Sequence, residues 1–540
     1  MLLLALALSL RVFYPITAGY FFADDFFNLY LIRNSSPIEY LLTPLGGHLL
    51  VTRNALFYVT HALFGTQAEY YYAVVLITHL VNVALMFRVI DLFTNNPRLA
   101  CFASALWGTC PINDGALGWY SVYGHVVVVT IVLAVLCRLA RAANGQPAPR
   151  NEPLLWVVLL FMASTSFGIG IGLAVAFPLV AFTLLPRTAG RARATLVLAA
   201  GAAVVPVLYF GLHRLYDAMR PDIADPSSFL IAVVTSPGNW GQVFTFLLEL
   251  IRYGAAAPLE VFLNRFVHLS DAVAAVSIVY LCAVAVAFLC GSPRTRRQLA
   301  VCLLLYLSCY AMIAIGRVAY FAQGGKALVE TLRYHYAGPI FPIMALCIML
   351  AELDQRLRLP GSAKTALLLV LLTVILGNQI EEKRGKEQLA ARAETAQTLR
   401  SIRWRIDNTP PNQDVYIENR RFAALGPLNI DEWVPGWAAV FIIFFPENTV
   451  DGKRVYFVES NPKVVQAAQR GKRSRTLLVA PNARSSITHP SVSTTCGWEK
   501  PESFAARSGA GAEKKPWAPL TTSKGGLTRS FGPCAPAAKA

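Results

Sequence analysis

The chain has 540 residues, 55% of them hydrophobic and 15% charged, whereas about a quarter of the residues of a soluble globular protein carry charge. That composition excludes an ordinary soluble domain and reads as an all-α polytopic membrane protein. The formal net charge of +17 would suit nucleic acid, but no basic stripe interleaved with aromatics occurs; the excess sits in short loops and in the C-terminal tail, so no nucleic-acid partner is expected.

In chain order, apolar runs cover 1–22, 70–90, 99–112, 122–140, 153–186, 195–212, 271–290, 299–316, 334–352 and 364–380, with 153–186 long enough for two short spans. A span takes roughly 20 mostly apolar residues, fewer with bilayer thinning, which predicts about eleven transmembrane helices. Residues 1–22 lack a basic leading segment and a clear cleavage site, and read as a retained first span; the sequence leaves the true N-terminus open. Lys and Arg in short loops mark the cytoplasmic side. With the N-terminus inside, the clusters Arg88/Arg98, Arg138/Arg141/Arg150, Arg187/Arg191/Arg193, Arg294/Arg296/Arg297 and Arg356/Arg358/Lys364 all fall there. The loop 23–69, the loop near 111–121, the loops 213–270 and 317–333, and everything after about 381 are then outside. Within them "GQVFTFLLELIRYGAAAPLEVFL" (241–263) is apolar enough for a further span, but counting it would reverse every later basic loop. An interfacial or re-entrant outer-face helix is expected there. Most of the ten Cys lie inside apolar runs and read as small core hydrophobes, with no metal-ligand spacing.

Three domains are expected. A transmembrane domain covers 1–380, and a small extracytoplasmic domain, α/β or β-rich, covers 381–483. In the latter "DVYIENR", "AAVFIIFF", "RVYFVES" and "RTLLVAP" have strand composition with turn residues between them. Residues 484–540 are rich in Ser, Thr, Gly, Pro, Ala and Lys, too poor in large apolar residues to build a core, and are expected to be a disordered low-complexity tail.

Chemistry-bearing residues gather at the outer ends of the spans. "GYFFADDFFNLYLI" (19–32) sets Asp24 and Asp25 among aromatics just past the first apolar run. A carboxylate near membrane depth is costly unless paired or solvated, so such a pair points to function; the structural alternative is an interfacial pair that merely ends a helix. "TPLGGHLLVTRNALFYVTHALFG" (43–65) adds His48 and Arg53, able to face a shared cavity, and His61, which reads as packed. "CPINDGALGWYS" (110–121) offers Asp114 beside Trp119 and Tyr120, although an Asp before Gly is also a turn former. His79 and Asn82, three residues apart in the second span, read as a hydrogen-bonded packing pair.

An acidic pair directly after span one, an outer loop running into "ALFYVTHALFG", then "YYAVVLITHLVNVALMFRVIDLF" and "WGTCPINDGALGWYSVYG", together resemble the GT-C superfamily of integral membrane glycosyltransferases. That superfamily includes protein O-mannosyltransferases and aminoarabinose transferases. The resemblance is best over 19–135 and again at "ETLRYHYAGPIFPIMAL" (330–346), where such proteins carry an Arg-Tyr before a late span. It implies a polyprenyl-phosphate-linked sugar donor and an envelope glycan, lipid or protein acceptor. The transfer would be inverting, at the outer face of the cytoplasmic (inner) membrane.

Such a transfer needs a carboxylate to take the acceptor proton and cations to stabilise the departing phosphate. Asp24 or Asp25 would be the base, Asp25 slightly favoured, with Asp114 a third acid. For the phosphate the candidates are Arg53, Arg317, Lys326 and Arg333; Arg offers a planar donor fork where Lys is a point charge. Snorkelling is the structural alternative for Arg317. His48, Trp119, Tyr120 and Tyr334 are expected to line the site. Asp24, Asp25, Asp114 and His48 could form an oxygen-rich divalent-metal site, but the outer loops hold no "DxD", and no obligatory metal is expected. The competing reading is a transporter or flippase of lipid-linked sugars, with "TSFGIGIGLAVAFP" (165–178) as a broken helix. A third is an envelope assembly scaffold with a degenerate site.

Overall fold

The computed structural model describes residues 1–219 except 23, 46–47, 147–148 and 150, then 237–256 and 269–357, part of 258–408 otherwise, and four strands between 415 and 478. Helix α1 is Leu2–Phe13, followed by the 3-10 turn Tyr14–Ala18. The first loop folds as α2 (Asp24–Asn34), α3 (Pro37–Leu42), a two-residue hairpin of β1 (Pro44–Leu45) and β2 (His48–Leu49), and α4 (Val51–Phe64). Then come α5 (Ala68–Thr94), α6 (Pro97–Gly108), α7 (Asp114–Leu117), α8 (Gly124–Ala143), α9 (Glu152–Ser164), α10 (Ile169–Leu184) and α11 (Ala189–Met219). The later helices are α12 (Trp240–Ala256), α13 (Leu269–Cys290), α14 (Pro293–Gly324), α15 (Lys326–Val329) and α16 (Ile340–Leu357).

Several of these helices start where the sequence carries a cap followed by proline. Ser36 accepts from the Glu39 amide, Asn96 from Arg98 and Leu99, and Ser292 from Thr295, each with Pro at the next position. Such side chains satisfy amides that the first helical turn leaves unpaired, and proline loses no bond there.

Five helices are long and apolar enough to cross a membrane: Ala68–Thr94, Tyr120–Ala143, Gly190–Tyr216, Pro293–Val318 and Leu332–Arg356. Four shorter apolar helices, Leu2–Ala18, Glu152–Ser164, Ile169–Leu184 and Ala275–Cys290, accompany them. The expected run 99–112 differs. It becomes the 12-residue α6, too short at about 18 Å to span alone and buried from Leu99 to Gly108 among α1, α5 and α16. Most of the run 364–380 lies outside the described residues, as does "AAVFIIFF". The count of about eleven is therefore not reached among the described residues.

Burial within the protein separates centre from periphery. The span ending α16 is 72% buried and that of α8 67%, whereas α11 is 22% buried and turns most of its surface outward. Helix α12 lies along α14: Phe246 stacks on Phe321 at 4.4 Å, and the Tyr306 hydroxyl donates to the Ile251 carbonyl at 2.6 Å. It packs on that neighbouring helix through these contacts.

Beyond the bundle, β3 (Val415–Asn419) pairs in parallel with β5 (Lys453–Glu459), while β4 (Thr449–Val450) and β6 (Thr476–Leu478) pair antiparallel with β5. A parallel pair requires a crossover between its strands. The described residues belong to one compact unit within Met1–Arg484, and residues 485–540, where a disordered tail is expected, lie outside the described residues.

Candidate active site

Asp24 and Asp25 open α2, where the helix N-terminus favours negative charge, yet adjacent residues on a helix point in different directions. Asp25 is wholly buried. One carboxylate oxygen accepts from the Ser121 amide and hydroxyl, both at 2.6 Å. The other accepts from the Phe22 amide at 2.9 Å and the Tyr72 hydroxyl at 3.4 Å. Burial pushes the Asp25 carboxyl up to about 6 against the pull of these donors and of Arg392. Asp24 is half-buried, and among the described residues its carboxylate accepts no hydrogen bond. Burial raises its pKa, and the charges of Arg53, Arg333 and Arg317 oppose that rise.

Arg53 is buried in α4 and donates to Asn28 Oδ1, which also accepts from the Tyr40 hydroxyl at 3.1 Å. Asn28 in turn donates to Ser121 Oγ at 3.1 Å and to the Asp24 carbonyl at 2.7 Å. A polar chain thus runs Arg53, Asn28, Ser121, Asp25. The Nε of Arg53 has no hydrogen-bond partner among the described residues.

Arg333 sits in the 3-10 turn Leu332–His335, its guanidinium 5.2 Å from the Trp119 ring and 5.1 Å from that of Tyr334. Trp119 meets Phe22 edge-on at 5.5 Å, and Arg392 lies 5.5 Å over the other neighbour in this row, Phe22. An aromatic wall therefore carries an arginine at each end. Cation–π contact of this kind holds a guanidinium in place without neutralising it.

Arg317, half-buried in the C-terminal part of α14, donates to His48 Nε2 at 3.1 Å. Arginine is always a donor, so that histidine nitrogen is an acceptor and His48 is neutral. Burial, then Arg317 and His125, hold its pKa well below the usual value. His48, His125, Phe167, Gly168, Arg317 and Tyr334 border a small cavity, and the buried Nε2 of His125 has no hydrogen-bond partner among the described residues.

Asp114, half-buried at the start of α7, faces Arg392; burial raises its pKa and that charge opposes the rise. Lys326 is exposed at the start of α15, with no hydrogen bond, ion pair or ring contact tying it to this cluster among the described residues. Tyr120 is turned into the core, bonded to Thr60 at 2.8 Å and packed on Phe57, Tyr71 and Tyr123. His61 bonds the Gly65 carbonyl and Tyr71, while His79 and Asn82 meet on the Tyr336 hydroxyl. No group of three His, Cys, Asp or Glu among the described residues is placed to hold a metal. The set Asp24, Asp25, Asp114 and His48 does not fit one: Asp25 is saturated with donors, His48 is taken by Arg317, and Asp24 faces three cations.

Sequence reasoning passed over Asn28, Ser121, Tyr72, His125 and Arg392. Asn28 could have been found, since it stands four residues after Asp24 on one helix face. Arg392 had no comparable signal, being one charge in a stretch full of them.

No protein-family model matches the chain, and no curated protein matches it. Among solved structures it is similar to an oligosaccharyltransferase of Archaeoglobus fulgidus tethered to an acceptor peptide, with a TM-score of 0.38 and 14% identity over 76% of this chain and 57% of that one. This chain therefore spans less than two thirds of that protein. It is also similar to ArnT from Cupriavidus metallidurans in the apo state, with a TM-score of 0.35 and 14% identity over 86% of this chain and 94% of that one. ArnT bound to undecaprenyl phosphate gives a TM-score of 0.34 at 13% identity. Both are membrane glycosyltransferases of the GT-C superfamily, which the motifs of this chain resemble. With TM-scores below 0.5, no residue role is carried over from them.

Proposed function

We propose that the chain is a membrane glycosyltransferase that moves a sugar from a polyprenyl-phosphate donor to a hydroxyl of an envelope glycan, lipid or protein, with inversion, at the outer face of the inner membrane. The observation that carries this reading is Asp24, a half-buried carboxylate without a hydrogen-bond partner among the described residues, faced by Arg53, Arg317 and Arg333. Three guanidinium groups against one carboxylate leave a surplus of positive charge, the electrostatics a phosphate-bearing substrate requires.

Asp24 takes the proton of the acceptor hydroxyl as its oxygen attacks C1 of the sugar. The bond from C1 to the phosphate oxygen breaks, its electron pair stays on the phosphate, and the arginines stabilise that charge as it develops. Asp24, rather than Asp25, is the base: the oxygens of Asp25 are already occupied by Ser121, Phe22 and Tyr72, so it orients α2 against the Trp119–Ser121 turn. Arg53, Arg317 and Arg333 serve the phosphate, with Trp119 and Tyr334 seating Arg333. Lys326 is left out of this assignment, and Asp114 belongs to the neighbouring charge of Arg392.

A transporter or flippase of lipid-linked sugars is the second reading. The Gly-rich stretch 165–178 bends at 165–168, between α9 and α10, beside His48 and the cavity.

The test is transfer from a radiolabelled pool of polyprenyl-phosphate sugars in membranes with matched amounts of wild type, Asp24→Asn or Asp25→Asn. Loss of a general base lowers the rate about 10²- to 10⁴-fold, and Asp24→Asn is expected to fall in that range. Full transfer by Asp24→Asn would sink the assignment.

A further inference from the structure

Among the described residues between 392 and 408, Arg392, Thr395, Leu399 and Ile406 are buried, while Ala393, Gln397, Arg400, Ser401, Trp404 and Asp407 are exposed. The buried positions recur with the spacing of one helix face, so this helix, which follows the last apolar run, is seated on the protein by that face. An arginine on it is 3% exposed, which for a charged side chain means a built environment.

That environment is specific. The Arg392 guanidinium carbon stands 5.5 Å from the Phe22 ring centroid and 5.9 Å from that of Tyr72. Gly118 leaves it room: a Cβ there would come within 3.1 and 3.2 Å of the two terminal nitrogens, and one on Gly19 within 3.7 Å of the first. Its charge acts on both Asp25 and Asp114, whereas Asp24 answers to Arg53, Arg333 and Arg317. Arg53 acts on both Asp24 and Asp25, so the acids are linked, and the side that holds Asp25 and Asp114 also takes the charge of a residue from beyond the membrane bundle.

We infer that Arg392 is a positioning residue of the active site, delivered by the helix after the membrane domain, which holds Asp25 and Asp114 in register against the aromatic wall of Phe22 and Tyr72. Its consequence for catalysis rests on the glycosyl-transfer reading; its place between the two carboxylates does not. Among the described residues Asp25, Asp114 and Tyr72 face it, and Arg400 on the same helix acts on Tyr20.

Wild type, Arg392→Lys and Arg392→Met, all full-length, would be treated at neutral pH with a water-soluble carbodiimide and an amine nucleophile, and the modified carboxyls mapped by mass spectrometry. Removing a nearby positive charge favours the protonated, reactive acid. Modification of Asp114 is expected to rise about threefold or more in Arg392→Met and to stay near the wild-type level in Arg392→Lys, with Asp24 unchanged in both. Equal modification of Asp114 in all three chains overturns the inference. So does a parallel rise at Asp24 and Asp114, which marks a loosened fold.

The second arm is transfer. Arg392→Met is expected to lose about tenfold in kcat/KM, roughly the effect of one removed charge contact, with the acid limb of its pH profile moved to higher pH and partial recovery in Arg392→Lys. Unchanged transfer beside altered modification overturns the positioning role. If the wild type transfers nothing from any donor, the transferase reading fails, while the modification pattern still decides where Arg392 acts.

Discussion

At the scale of single residues, the two adjacent acids divide by what surrounds them. Asp25 is held by four donors and Asp24 by none among the described residues, although both belong to the same helical turn. The raised Asp24 pKa predicts that the acid limb of kcat/KM lies above the ordinary carboxylate range, because a base must be ionised to act. A limb at or below the ordinary value, in a profile that Asp24→Asn abolishes, would contradict this. Asp25 makes a separate prediction for stability. Its carboxyl is raised from 3.8 to about 6 on folding, so its contribution is complete below 3.8 and is lost as pH rises through about 6. In detergent, the melting temperature of wild type relative to Asp25→Asn should therefore decline between about pH 4 and 6 and level off above. A difference that grows over that window would show that the donors outweigh burial.

Single elements explain how residues so far apart in the chain reach one another. The 3-10 turn Leu332–His335 carries Arg333 to Trp119 because it can press directly on Gly115. A Cβ on Gly115 would stand 2.5 Å from Leu332 Cβ and 2.7 Å from the Arg333 amide, a clash with backbone that cannot yield cheaply. Gly115→Ala should push this turn away and raise the KM for the donor about tenfold, with a smaller change in kcat, since a lost binding contact acts mainly through KM. Gly190→Ala, where the nearest atom is 3.6 Å away, is the control. Equal kinetics in the two variants would remove Arg333 from the donor site. The elements themselves were largely legible. Apolar runs, and Ser36–Pro37, Asn96–Pro97 and Ser292–Pro293, mark helices and their starts through local hydropathy and local hydrogen bonding. The run 99–112 folds as the short buried α6, since hydropathy alone does not distinguish lipid from protein as the apolar surroundings.

On the scale of the whole molecule, two ends of the bundle can be told apart. Glu352 accepts from Ser292 and Thr295, and Arg356 donates to the Cys290 carbonyl, so α16 finishes beside the α13–α14 turn. Arg392 nevertheless packs on Phe22 and Gly118, at the end where α16 begins. Leu357 and Arg392 therefore lie at opposite ends of the bundle. In intact cells a membrane-impermeant maleimide should label single cysteines at the exposed positions Ser401 and Ile38, and should reach the exposed Cys290 only after permeabilisation. Labelling of Ser401→Cys together with Cys290, and apart from Ile38→Cys, would break this topology. The sequence by itself determined the membrane character, most helices, and the presence of acids and arginines in the first and late loops, because hydropathy, capping and charge placement are local quantities. Only the tertiary structure decided that Asp24 and not Asp25 is open, that Tyr120 belongs to the core, and that the charge of Arg392 acts on Asp25 and Asp114. The partners of a buried charge come from distant segments, as with Asp25 and Ser121, 96 residues apart, and their number and direction follow from packing that no local pattern encodes.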